Sequence, residues 1–550
     1  MTTLKKKYKK FLITVFLSMA LITAAIAGSD LYREIANNWK MVHEVYKRLM
    51  THYADQIDPE KLAIAGIKGM LSELDPYTVY MEKEDRYGLD LLTHGKYGGV
   101  GIHLGTRDDT LTVIAPMEGT PAKRMGIMPG DKIIKIDGES TKSLSLDDAA
   151  KKIRGERKTK VVLTIKRYGE ANQIDFELTR ENIIVNDISY SGLISENIGY
   201  VRLTRFSKNA ATEMRRTLLN LKEQGISHLI LDFRGNPGGL LDASITILDY
   251  LTEKESVLLS TKGRARETIK EYISQSDPII GSDISLVVLI DKGSASASEI
   301  VAGAIQDLDR GLIIGTQSFG KGLVQTLYPI DSDRSVKITT AKYYIPSGRL
   351  IQTPGYMNEE VLLSQSEEDT IFQTKNGRIV EASGGITPDI VVEQEKMGML
   401  ARECWRRGLF FNFASVYKNE HEVSLPIEID SLILSEFEEF ITTKEIVLTV
   451  KGEKEFNSME ALLDSTAENL LEIKHFMNIL DDYFEDLKAE RFEIEKDRLV
   501  LGLEREFSSI LGGNDSRIES SFNDDPVLLK SIEVLSDMIS FHDTLLPSEN

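Results

Sequence analysis

The run from Ser285 to Asp291 is apolar and largely β-branched, it stops at Lys292-Gly293, and a small-residue helix pattern begins at once after it. This join limits the architecture more than any other feature of the chain. An unbroken apolar run of this length predicts a buried strand. From Ser296 the small residues and the spacing of Ile300, Val301, Ala304 and Ile305 predict a helix. The same alternation recurs on either side. IGYVRLTRF, from Ile198, reads as a strand followed by a helix ending near Gly225, HLILDFRGNPGGLL as a strand and a glycine turn, and Gly311 to Thr316 as a further buried strand. Strands alternating with helices predict an α/β core.

The join also has chemical consequences. A serine where a buried strand turns into a helix exposes its hydroxyl, with the first helical N–H groups nearby for a developing oxyanion. Its base is not the usual one. No G-x-S-x-G occurs in the chain, and none of the eight histidines lies in 285–326. The strand ending at Thr316 runs instead into SFGKGLVQ, which puts Lys321 in a glycine-flanked turn. Lowering a lysine from about 10.4 to about 7 takes roughly 4–5 kcal/mol of differential destabilisation of its charged form, within the range that burial produces. A Ser–Lys dyad is therefore feasible. Either motif alone is commonplace, since serine-rich helix starts usually serve close packing and Gly-Lys turns are usually only turns. Gly315 to Lys321, GTQSFGK, also fits the start of a phosphate-binding loop, but Gly322 stands where that loop needs a magnesium-binding hydroxyl.

GSASASEI followed by FGKGLVQ resembles the carboxy-terminal processing peptidases, or tail-specific proteases. The resemblance implies a PDZ-containing serine protease with a crotonase-like α/β core and a Ser–Lys dyad. It places the nucleophile on Ser296, the general base on Lys321, and the glutamine that orients the lysine on Gln325. Asp307 matches a family aspartate of structural role, and Asp291 departs from a common asparagine. The amides of Gly238, with Gly239 as the alternative, and Ala297 are the implied oxyanion donors. Asn236-Pro237-Gly238-Gly239 follows an apolar strand, at the strand end where open α/β sheets place ligands. ITTAKYYIPSGRLIQ and GGITPDIVVE continue the likeness almost to the end of the core, and the polar insert near 355–379 reads as a surface excursion.

Upstream of the core, Trp39, Val42, Val45, Tyr46 and Leu49 keep one helical apolar stripe and Leu62, Ile64, Ile67, Met70 and Leu71 another, with the Asp-Pro of LDPYTVYM as a stop. From Tyr97, short strands at LTVIAP, DKIIKIDG, KVVLTIKR and DFELTR surround a helical SLDDAAKKIRG. MGIMPGDKIIKIDG closely matches the PDZ pattern of exported proteases. In that setting the turn Gly99-Val100-Gly101-Ile102 is the expected carboxylate-binding loop, beside which a peptide tail adds as a strand. It is not a dinucleotide fingerprint, because the third glycine is missing.

Net charge is −20, and residues 401–550 hold 33 Asp and Glu against 15 Lys and Arg, so the acidity sits in the tail. No basic footprint for nucleic acid is present. Cys404 is the single cysteine, which leaves no intrachain disulfide and no cysteine-based metal site. Five lysines among residues 5–10 precede an apolar run from Phe11 to Ala27 that ends A-I-A-G, the form of a secretory signal cleaved after Ala27; a retained anchor is the alternative, and would be the only membrane contact. Between Met459 and Leu503, Leu462, Leu463, Leu470, Leu471, Ile473, Phe476, Met477, Leu480 and Phe484 recur at helical spacing. The segment reads as an amphipathic helix or hairpin packing on its own domain, with a dimer or docking role second. Past Gly512 the chain reads as polar and mobile.

The expected organisation is multidomain α/β and α+β: a signal or anchor (1–27), a helical subdomain (28–96), a PDZ domain (97–182), the protease core (183–395) and an acidic, mainly helical extension (396–550). The expected function is an exported serine endopeptidase of the periplasm or cell envelope, cutting proteins at or near their C-termini without metal or cofactor. Its partners are polypeptide tails, with a homodimer and an envelope adaptor left open. A PDZ-based envelope scaffold with an inactive core is the alternative.

Overall fold

The computed structural model describes residues 32–82, 91–93, 95–107, 110–356, 371–382, 384–393, 397–444, 446, 448–465 and 471–547. The expected signal or anchor and most of the insert lie outside them. The chain divides into two units, residues 1–80 with 357–363, and the remainder. In the first, helix α1 covers 32–52 and α2 covers Pro59–Ser72. Asp58 caps α2 by accepting from the N–H groups of Glu60 and Lys61, and Pro59 occupies the first helical position. The apolar stripe of α1 is present but open to solvent, Trp39 and Val45 included.

The second unit begins with a small β-domain. Strands β1 (Lys96–Gly99), β2 (Ile102–Arg107), β3 (Thr110–Pro116) and β4 (Lys132–Ile136) precede helix α3 (Leu146–Ile153), and β5 (Lys160–Lys166), β6 (Ile174–Thr179) and β7 (Glu181–Ile184) complete it. β2 to β6 form an antiparallel sheet, and β1 pairs with β7 to close the entry and exit of the chain. Each strand read from the sequence is found, and Val113, Ile133, Val161, Leu163 and Leu178 fill the core between them.

The core that follows is built on a six-stranded sheet. Its strands are β8 (Ile188–Ser195), β9 (Ile198–Leu203), β10 (His228–Asp232), β13 (Ser285–Ile290), β14 (Leu312–Gly315) and β17 (Ile390–Val391), in that spatial order. β8 is antiparallel to β9 and the rest are parallel. Helices α4 (Ala210–Glu223), α5 (Leu241–Asp249) and α6 (Ala297–Asp307) bury one face. A second antiparallel sheet joins β11 (Val257–Lys262), β12 (Lys270–Ile273), β15 (Leu323–Pro329) and β16 (Ser335–Tyr344).

The other face of the six-stranded sheet is covered from an unexpected place. Helices α7 (Met399–Arg407), α8 (Leu409–Glu420), α9 (Ser431–Thr442), α10 (Glu453–Ser465), α11 (Leu471–Ala489) and α12 (Lys496–Glu519) come first. Then α13 (Pro526–Ser536) and α14 (Met538–Thr544) bring Val527, Leu528, Val534, Leu535 and Phe541 onto Tyr200, Ile230, Val287, Leu289 and Ile314. The reading of residues past Gly512 as mobile is thereby corrected. Asp525-Pro526 is a helix start, and the apolar residues behind it have helical spacing. The amphipathic segment 459–503 is likewise several helices rather than one helix or hairpin. Met477 is buried, whereas Phe476, Ile479, Leu480 and Tyr483 of α11 face solvent. Leu470 lies outside the described residues. The helical domain has its own aromatic core of Phe410, Phe413, Phe437 and Phe507. It touches the β-domain through Arg107 over the Phe411 ring and a Tyr168–Glu420 hydrogen bond of 2.8 Å.

Candidate active site

Ser296 stands between β13 and α6, one residue before the helix, with φ 55° and ψ −111°. A β-carbon in that region is strained by roughly 1–3 kcal/mol, so the surroundings must hold it. They do so through Glu299, which is wholly buried. Its Oε2 accepts from the Ser296 N–H at 2.7 Å and from the Lys321 N–H at 2.9 Å; its Oε1 accepts from the Ser318 hydroxyl at 2.6 Å and the Gly320 N–H at 2.7 Å. One carboxylate thus ties the serine turn to the lysine turn. Burial raises the Glu299 pKa, and the four hydrogen bonds only partly offset that rise. The Tyr343 hydroxyl, on β16, makes a second tie. It reaches the Ser296 carbonyl at 3.1 Å and also the Lys321 carbonyl.

The glycine turn after β10 packs directly on the serine. Gly238 has φ +93°, and a β-carbon there would lie 2.9 Å from Ser296 Cβ and 2.8 Å from the Ala297 nitrogen. Only glycine permits that approach. Asn236 stitches the two turns: its carbonyl accepts from the Ala295 N–H at 3.0 Å and the Ser298 hydroxyl at 2.9 Å, and its side-chain amide donates to the Leu203 carbonyl at 2.8 Å. The Gly238 N–H donates to Asn236 Oδ1 at 2.9 Å, whereas Ala297 begins α6, where an amide has no carbonyl one turn back.

The structure therefore brings the backbones of Ser296, Lys321, Gly238 and Ala297 to one place. The Gln325 side-chain amide reaches Thr339 Oγ1 at 3.4 Å. Asp307 is buried against Arg349, at 2.8 Å, under the far end of α6. Glu299 and Tyr343 were not singled out in the sequence, although Ser296-Ala-Ser-Glu299 has the spacing of a capping box and so offered a signal for the first. Also unforeseen was Arg234, which pairs with the buried Asp232 at 2.7 Å and with Asp525, the cap of α13, at 2.6 Å. Burial alone would raise Asp232, but Arg234, Arg202 and the Tyr200 hydroxyl hold it below the ordinary carboxylate value.

A second candidate site lies in the β-domain. Gly99, Val100, Gly101 and Ile102 line a half-open cavity of about 320 Å³, with Leu146, Ala150 and Ile153 of α3 on its other wall. Gly101 has φ +76° and packs on Thr120, whose hydroxyl bonds the Gly101 carbonyl at 3.2 Å. The cavity reaches Arg205 of the core, which sits 3.1 Å from the buried Asp187.

Comparison with known proteins agrees with this layout. Residues 197–361 match the peptidase family S41 profile and 112–167 a PDZ domain profile. Residues 20–85 match the activating protease CtpB N-terminal domain, and 400–535 the C-terminal helical domain of probable PDZ-proteases. The carboxy-terminal-processing protease of Bartonella bacilliformis is 35% identical over 391 residues, 70% of this chain and 82% of that protein. The carboxyl-terminal-processing protease of Synechocystis is 37% identical over 331 residues, 59% of this chain and 75% of that one. Among solved structures, a photosystem II D1 C-terminal processing protease aligns over 64% of this chain and 86% of its own, at 27% identity and a TM-score of 0.37. With a relative at this identity matched over most of its length, the chain belongs to the carboxy-terminal processing proteases of peptidase family S41.

Proposed function

We propose that this protease cuts polypeptides at or near their C-termini by a Ser–Lys dyad. The Lys321 amine, uncharged, takes the Ser296 proton as Oγ attacks the scissile carbonyl carbon. The Ala297 amide, with that of Gly238 or its neighbour Gly239, receives the oxyanion. Gly238 enters this role by releasing Asn236 Oδ1. The tetrahedral centre collapses, the proton passes from Lys321 to the leaving amine, and water hydrolyses the acyl-serine with Lys321 again as base. Gln325 orients the amine. The observation that carries the reading is the shared seat of the Ser296 and Lys321 backbones on Glu299.

In the same reading the β-domain cavity takes the substrate's tail. The terminal carboxylate lies on the Gly99–Ile102 turn, and the tail's last apolar side chain faces Leu146 and Ile153. The lysine-rich start and the apolar run to Ala27 support export to the periplasm or cell envelope. The chemistry requires polypeptide tails as partners; it requires neither a second copy nor an adaptor.

Digestion of a tagged polypeptide, with product masses read by mass spectrometry, tests the proposal. Purified Ser296→Ala and Lys321→Ala chains are each expected to lose cleavage by at least about 10⁴-fold while keeping their circular dichroism. Normal cutting by either variant overturns the dyad. Tail capture without cutting by the unmodified chain supports the scaffold alternative instead.

A further inference from the structure

A second cavity, of about 420 Å³, opens between the six-stranded sheet and the helical domain, and its chemistry is unlike that of the β-domain cavity. Four guanidinium groups line it, two from the core and two from the acidic helical domain, together with the carboxylates of Asp291 and Asp525. Arg202 comes from β9 and Arg234 from the turn after β10; Arg505 and Arg517 come from α12. Twelve positions apart on a straight helix, the last two would be separated by about 18 Å. They line one cavity because α12 breaks at Gly513, where φ 78° and ψ −158° turn its last stretch back on itself.

The local carboxylates do not use up these cations. Arg234 is satisfied by Asp232 and Asp525. Arg517 reaches Glu506 at 3.3 Å, but its Nε is enclosed and has no hydrogen-bond partner. The guanidiniums of Arg202 and Arg505 form neither a hydrogen bond nor an ion pair among the described residues. Arg505 keeps one side open to solvent, yet burial and the Arg517 charge push its pKa below the ordinary arginine value, against the opposing pull of Asp525 and Glu506. Asp291, also on the wall, has one oxygen committed to the N–H groups of Gly235 and Gly293, at 2.8 and 2.9 Å.

We infer that this cavity is an anion site, in which Arg202, Arg505 and Arg517 bind a phosphate group. Three guanidiniums from separate positions need an acceptor with oxygens pointing in several directions, which a tetrahedral phosphate supplies and a single planar carboxylate does not. The volume exceeds what a bare phosphate fills, so a phosphomonoester with a small organic body also fits. Such a ligand would bridge the sheet and the helical domain beside the turn that leads to Gly238.

The test uses the full chain, with inorganic phosphate and glycerol phosphate as probes, by isothermal titration and thermal unfolding at ionic strength matched with sodium chloride. One phosphate per chain is expected to bind and raise the Tm. Arg202→Gln and Arg505→Gln should each weaken binding by about tenfold, and the double variant should abolish it with unchanged circular dichroism. Tighter binding of glycerol phosphate would assign the spare volume to an organic body, and binding of inorganic phosphate alone would make this a site for the free ion. Phosphate heats and Tm shifts no larger than those of chloride, or equal binding by the double variant, overturn the inference. So does full binding by Arg505→Lys, which keeps the charge but not the fork and would reduce the effect to undirected electrostatics.

Discussion

The serine–lysine junction and the β-domain cavity are built in opposite ways. The junction is made of pieces far apart in the chain, with Asn236, Ser296, Lys321 and Tyr343 each on a different element, held by buried hydrogen bonds on Glu299 and Tyr343. The cavity is made mostly within one small domain, from a glycine turn and an apolar helix face about fifty residues apart, touches the core at Arg205, and stays half open. Reacting groups must be positioned to within fractions of an ångström, which takes over-determined backbone. Capturing an extended tail takes a strand edge and a pocket, which tolerate an open geometry.

If that contrast is right, damage to the junction falls on turnover and damage to the cavity falls on affinity. The largest effect is expected at Glu299. Replacing it by Gln leaves an amide facing two donors, so kcat should drop about 100-fold, near 3 kcal/mol, with a lower Tm. A change confined to KM would break the comparison. Tyr343→Phe removes one hydroxyl and should lower kcat about tenfold with KM unchanged, read from steady-state kinetics on a short peptide. On the cavity side, Gly101→Ala places a β-carbon against Thr120 at a positive φ. It should raise KM for tailed substrates several-fold, and leave kcat alone.

The smallest effect concerns the seam between the two regions. Burial, with the Glu213 charge adding to it, pushes Asp187 up to about 6, against the pull of the Ser207 hydroxyl and Arg205. A carboxyl whose folded pKa is raised contributes stability at low pH that is lost as pH rises through the folded value. Stability should therefore fall by about 1–2 kcal/mol between pH 4 and pH 7, allowing for screening, and Asp187→Asn should flatten that slope in denaturant titrations. A slope that persists in the variant would assign it to other groups.

Local pattern carried most of the fold into the sequence. The strand at 285–290, the helix from Ala297 and strands β3 to β6 of the β-domain follow from apolar runs, periodicity and glycine punctuation, and each is where those signals put it. What escaped was long-range pairing. Nothing local in AKYYIPSG marks Tyr343 as the residue whose hydroxyl joins two distant turns. Nothing in DFRGN announces that Arg234 meets Asp525 almost three hundred residues on. The closing helices were missed for a different reason. Their apolar residues recur at helical spacing, but they do so among polar and acidic residues whose composition points to solvent.

The sheet that leads into the Ser296 turn packs one face on residues 518–545, more than two hundred positions further along the chain. During synthesis that face stays bare until those residues are made, long after the strands themselves, so a distant stretch of chain is the keystone of the core. A cut ahead of Asp525 would strip the roof from Tyr200, Val287 and Leu289 and cut Arg234 loose from Asp525. A single break there would therefore undo the sheet without touching the serine turn it supports.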